Sequence, residues 1–230
     1  EIVLMPTPGA ALDALIARVD PVRAAEMATY HKVERRYLGL SNDTVENLVR
    51  PWRADLDRDA KVTLAAGLWD SDIYEARIAA TKLLTQARIK PDDAPVWDEV
   101  QRWVVQFDSW AIADAAAKPI ERRLITDPSR LDAVAMWPEH QNMWTRRAAL
   151  VCTLHWAKGR HPDAAHLERR EQVLTWIAAL VSDHEWFTQK AIGWWLRTLS
   201  RQDPARVAEF LSLHSDGMRA IARKEAAKHL

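Results

Sequence analysis

One pattern limits what this chain can fold into more than any other. A run that opens on an aromatic residue and sets a small residue four or five places later recurs as YEARIAATKLL from Tyr74, WAIADAAAKPI from Trp110, WTRRAALVCTL from Trp144 and FTQKAIGWWLR from Phe187. The aromatics stand 36, 34 and 43 residues apart, and IARKEAAKHL from Ile221 follows Phe187 by 34. Polar breaks such as Asp108-Ser109, Asp127-Pro128, Gln141-Asn142 and Gln202-Asp203-Pro204 carry helix start and stop chemistry, while Val/Ile/Thr strand alternation is essentially absent. Such a period, with two helices per unit, predicts an all-α chain, an α-solenoid of HEAT-like repeats with a concave groove. A non-repetitive helical bundle is the competing arrangement.

In detail, Pro21 is placed to open a first helix through AAEMATYHKVERRY, with Gly39 ending it, and Asn42, Asp43 and Thr44 supply start signals for TVENLVRPW. Residues 158–166, KGRHPDAAH, are the longest irregular stretch, yet no linker divides the chain, so one domain over 1–230 is expected. The start, EIVLMPTPGAAL, lacks a basic leader, and no stretch approaches the ~20 apolar residues of a membrane helix. A cytoplasmic monomer with no membrane partner is the expectation. The lone cysteine, Cys152 in AALVCTLHW, reads as a buried thiol. His161 and His166 have no recognised ligand spacing, so no metal is expected, and no Gly-rich phosphate loop or GxSxG elbow points to a cofactor or a serine nucleophile. Asp70, Asp72 and Glu75 read as caps on a helix N-terminus.

The formal net charge is zero, but residues 1–139 hold 18 basic and 23 acidic residues, and residues 140–230 hold 14 and 9. A neutral chain can thus carry a cationic groove. The fourth position of the five runs holds Arg77, Ala113, Arg147, Lys190 and Lys224, and the spacing of Lys190, Trp194 and Arg197 puts cation, indole and cation on one helical face. Cations interleaved with aromatics suit a polyanion; the plainer reading is arginines snorkelling over core edges and pairing between repeats. Within this array Asp114 lies four residues after Trp110, among Ala111, Ala113 and Ala115 to Ala117. It reads either as the partner of Lys118 in a helical ion pair worth about 0.3–0.5 kcal/mol or as a carboxylate that a bulky ligand can approach closely.

On the stretches LWDSDIYEARIAA, SWAIAD, MWTRRAAL, WFTQKAIGWWLR and RKEAAKHL, in this order and spacing, the chain resembles the AlkD-type DNA glycosylases, the HEAT-like-repeat DNA alkylation repair enzymes, over most of its length. That resemblance implies a monofunctional enzyme that hydrolyses the N-glycosidic bond of cationic alkylated purines (7-alkylguanine and 3-alkyladenine types) in duplex DNA, without metal or cofactor and with the lesion left in the duplex. It implies Asp114 as the catalytic carboxylate, Trp110 and Trp194 packed around the deoxyribose, and Arg147 on the backbone beside the lesion. By the same alignment Tyr30, Lys32, Arg197 and Lys224 become DNA contacts, alongside Lys190 from the stripe. The chain departs from the family's pattern at Ser41, where a polar amide is frequent, and at His155, where a basic residue is frequent. A non-catalytic relative binding distorted or branched DNA, or a peptide-binding helical scaffold, would keep the fold and dispense with Asp114.

Overall fold

The computed structural model describes residues 6–230. Their regular structure is fourteen α-helices with short 3-10 turns; one isolated bridge joins Arg36 and Ile73, and the described residues contain no strand. They fall into two compact units. Unit 1 runs to Trp103 and resumes over Asp108–Arg123; unit 2 is Val104–Phe107 with Leu124–Leu230.

Unit 1 is built from α1 (Pro8–Ile16), α2 (Pro21–His31), α3 (Asn42–Asp55), α4 (Arg58–Asp70), α5 (Tyr74–Leu83), α6 (Ala94–Val104) and most of α7 (Trp110–Thr126). The start chemistry is regular. Thr7, Asp20, Ser41 and Asp57 cap α1 to α4 through side-chain oxygens that accept backbone N–H bonds, and Pro8 and Pro21 occupy first-turn positions where no donor is lost. Alanines at 76, 79 and 80 let α5 lie close to α3 and α4, and Trp69 of α4 stacks parallel on Trp103 of α6 with ring centroids 4.4 Å apart. Both indoles are fully buried.

Unit 2 contains α8 (Leu131–Val134), α9 (Met143–Val151), α10 (Leu154–Ala157), α11 (Ala164–Leu180), α12 (Trp186–Ser200), α13 (Pro204–His214) and α14 (Ala220–Ala226). Helix α12 is its centre, packing on α9, α10, α13 and α14. Gly193 permits the closest approach: a Cβ there would come within 2.9 Å of Glu225 Cβ and 3.3 Å of Ala222 Cα on α14. Cys152 is buried, as its apolar surroundings imply.

The recurring runs start helices where expected: α5 at Tyr74, α7 at Trp110, and α9, α12 and α14 one residue before Trp144, Phe187 and Ile221. Two expectations fail. The helix from Pro21 stops at His31, because Lys32 turns left-handed with φ 57°, and another helix, α1, precedes it. Gly39 is instead part of a buried irregular stretch; its φ is 78°, and a Cβ there would sit 2.3 Å from Asp20 O. The acidic cluster does not cap α5, whose N-cap is Ile73. Each acid has a distant partner: Asp70 pairs with Arg102, Asp72 with Arg35 and Arg77, and Glu75 accepts the backbone N–H groups of residues 38–40.

Candidate active site and nucleic-acid interface

In unit 1 the cleft of interest, about 620 Å³ in volume, has α7 as one wall. Ala111, Asp114, Ala115 and Lys118 share the face of α7 that lines it, and Trp110 and Tyr74 close one end. Asp114 is half-buried there, between two alanines whose short side chains leave room above the carboxylate. On the far side, Glu46 of α3 pairs with Arg53 at 2.6 Å and with Lys82 of α5 at 3.4 Å. Those bonds, Arg53's first, hold the Glu46 carboxyl below its ordinary pKa.

Trp110 stands at the edge of a ring cluster. Its indole meets Tyr30 edge-on at 6.1 Å and His31 at 6.0 Å, while His31 lies parallel to Tyr37 at 5.6 Å and 4.8 Å from Tyr74. Contacts of this kind favour offset and edge geometries over free rotation of the rings. Burial pushes the Tyr74 phenol up to about 12, with the Glu75 charge adding to it, so this hydroxyl stays protonated. Burial lowers His31, against the opposing pull of Glu75.

Two charge networks set the position of these rings. Glu75, 1% exposed, accepts from Leu38, Gly39 and Leu40 N–H at 2.9, 2.8 and 3.2 Å, tying the stretch after Tyr37 to the first turn of α5. Arg35, its side chain 2% exposed, bridges Asp72 at 2.9 Å and Asp108 at 2.8 Å, and Asp108 lies two residues before Trp110. The sequence reading missed both networks, since Arg35–Asp108 and Glu75–Leu38 are far apart along the chain and no local spacing announces them.

Unit 2 holds Arg147, Lys190, Trp194, Arg197 and Lys224. Arg147 on α9 is buried, with its guanidinium 5.6 Å from the Trp144 ring and 6.0 Å from that of Phe187. On α12 only Trp186, Phe187, Lys190, Trp194, Arg197 and Thr198 escape burial. The solvent face of this otherwise buried helix therefore carries the expected cation–indole–cation stripe. Arg197 is tied to Glu225 at 2.5 Å, whereas Lys190 and Lys224 are exposed. Trp186 extends the stripe by one turn: 45% exposed, it has the Arg219 guanidinium 5.3 Å from its ring. Its place four residues before Lys190 was the available signal.

The structure thus brings Tyr30 to Trp110, puts Asp114 in the same cleft wall as Trp110, and aligns Lys190, Trp194 and Arg197. Lys32 is exposed at the end of α2. Of the four cations at the fourth positions, two are not on an exposed stripe: Arg147 is buried against Trp144 and Phe187, and Arg77 is buried, donates to Trp69 O at 3.1 Å, pairs with Asp72 at 3.2 Å and stacks 4.6 Å from the Trp69 ring. Among the described residues no three His, Cys, Asp or Glu side chains are grouped to hold a metal ion, and no helix is long and apolar enough to cross a membrane.

The sequence profile of the family described as "DNA alkylation repair enzyme" matches residues 11–230, so it takes in both units and every residue of the cleft and stripe. The chain belongs to that family. Among solved structures it is similar to a predicted DNA alkylation repair enzyme from Enterococcus faecalis, with a TM-score of 0.77 and 21% identity over 93% of this chain and 97% of that one. It is also similar to AlkD2 from Streptococcus mutans, with a TM-score of 0.60 and 17% identity over 91% and 98%. At these identities the likeness is one of fold. No curated protein matches the sequence significantly.

Proposed function

We propose that this DNA alkylation repair enzyme is a monofunctional DNA glycosylase that releases cationic alkylated purines, 7-alkylguanine and 3-alkyladenine types, from duplex DNA. The observation that carries the proposal is the half-buried Asp114 carboxylate in an aromatic-walled cleft, open above Ala111 and Ala115.

The chemistry follows from the substrate. An alkylated purine already bears a positive charge, so when the C1′–N bond breaks, its electron pair neutralises the ring and no general acid is required. The barrier lies in the positive charge left on the sugar. A fixed carboxylate stabilises that oxocarbenium-like centre. A water then adds its oxygen to C1′ and gives up a proton, for which Asp114 is the acceptor. Trp110 and Trp194 are assigned to the deoxyribose, where an indole face favours a sugar cation. Arg147, Lys190, Arg197, Tyr30, Lys32 and Lys224 are assigned to the phosphodiester backbone, gripping a lesion that stays stacked in the duplex. No metal or cofactor takes part.

Treating alkylated genomic DNA with the purified protein and separating the released bases tests this. The expected result is free 7-methylguanine and 3-methyladenine with abasic sites left unbroken; DNA bound but no base released would contradict the glycosylase assignment.

A further inference from the structure

A second hollow, of about 330 Å³, opens where α3 passes into α4 and where α5 ends. Leu56, Leu84 and Val96 give it an apolar wall. Its polar wall contains Lys61, Arg88 and Lys90, none of which has an acidic partner among the described residues. The fourth lining cation, Arg58, is already engaged by Asp59 and Asp92, both at 2.8 Å. The lining acid, Asp57, is committed as the N-cap of α4, accepting from Ala60 N–H at 2.8 Å.

Lys61 is the informative member. It is half-buried, and its ammonium reaches only the side-chain oxygen of Gln86, at 3.5 Å. Burial and then the Arg53 charge drive its pKa below the ordinary lysine value, with Asp57 opposing them. A partly desolvated cation with no acid bonded to it is an energetic cost to the fold. Lys61 together with the exposed Arg88 and Lys90 around one hollow suits a multivalent anion better than a single carboxylate. The volume is at the lower end for small-molecule sites and fits one nucleotide-sized group.

We propose that this hollow binds a phosphate ester, its oxygens held by Lys61, Arg88 and Lys90 and its organic part laid on the Leu56–Leu84–Val96 wall. The ester is either a free nucleoside monophosphate or a phosphodiester of the DNA strand beyond the cleft. The site shares no residue with the Asp114 cleft and does not depend on the base-release chemistry.

The test uses the full chain and two probes, deoxyadenosine monophosphate and an undamaged duplex, with affinities measured for wild type, Lys61→Met, Lys61→Arg and Arg88→Ala. Lys61→Met keeps the apolar stem and removes a desolvated charge, so it should melt no lower than wild type; Arg88 is exposed, so Arg88→Ala is a second variant that folds. The proposal expects Lys61→Met and Arg88→Ala to weaken one of the probes about tenfold, with Lys61→Arg close to wild type. Loss confined to the mononucleotide identifies a free ester, and loss on the duplex identifies a backbone phosphate. Unchanged affinity for both probes in both variants would overturn the site. Asp114→Asn, outside this hollow, should bind both probes as wild type does, which separates failure here from failure of the glycosylase assignment.

Discussion

Arg77 of α5 and Lys190 of α12 occupy the same place in the repeated run, yet they meet opposite fates. In unit 1 the cation turns inward, stacked on Trp69 and paired with Asp72; in unit 2 it faces solvent on a stripe with two indoles. The outcome is decided locally rather than unit by unit. Arg35, Arg53, Arg58, Arg77 and Arg102 of unit 1 are ion-paired, and so are Arg146, Arg197 and Arg206 of unit 2, whereas Lys190 and Lys224 stay exposed. A position in a repeat fixes the face of a helix. The charge of the neighbouring turn decides whether a cation on that face binds something else.

The contrast is open to measurement, and its largest effect belongs to the inward charges. Glu75→Ala orphans three buried N–H groups, so unfolding in urea should show a loss of roughly 3 kcal/mol or more; a loss under 1 kcal/mol would mean that water replaces the carboxylate. Arg77→Met should cost about 2 kcal/mol by the same measurement, since the bond to the buried Trp69 carbonyl and the pairing with the exposed Asp72 are both lost, while the salt dependence of DNA binding stays as in wild type. Lys190→Ala should do the reverse. Its stability should stay within about 0.5 kcal/mol of wild type, and the slope of log affinity against log salt should flatten by about one. An Arg77 variant with a flattened slope, or a Lys190 variant without one, would erase the distinction between the two positions.

The smallest effect is a pH dependence at the cleft. Arg53, then Lys82, holds the folded-state pKa of Glu46 below the ordinary 4.5. The folded protein therefore binds this proton less readily than the unfolded chain. The stabilisation is complete above about pH 4.5 and is lost as pH falls through the folded-state value. Glu46→Gln should accordingly show a shallower decline in stability over that acid range, measured by thermal melting; an unchanged decline would place the acid sensitivity elsewhere.

Much of the fold was legible because its cues are local. Aromatic starts at Tyr74 and Trp110, caps such as Asn142 and Asp203, and first-turn prolines act within a single turn, so the helix register could be read directly. The α12 stripe was legible for the same reason, as spacings of three and four reproduce a helical face. What escaped was long-range. Gly39 looks like a helix end until the Asp20 N–H bond to Leu38 O and the Glu75 carboxylate are seen to hold the surrounding backbone. Arg77 escaped for a local reason instead: Asp72, five residues earlier, has a left-handed backbone at φ 55° and pairs with it. The ring cluster behind Trp110 joins α2, α5 and α7, which no single window of sequence contains.

The most direct test of the account is a single-turnover comparison of wild type and Asp114→Asn on a duplex carrying one 7-methylguanine, with binding measured on the same preparations. The substitution keeps shape and removes charge. The account predicts that base release falls to the uncatalysed rate while duplex affinity is retained. Release at the wild-type rate by the asparagine variant would take the carboxylate out of the chemistry and contradict the assignment.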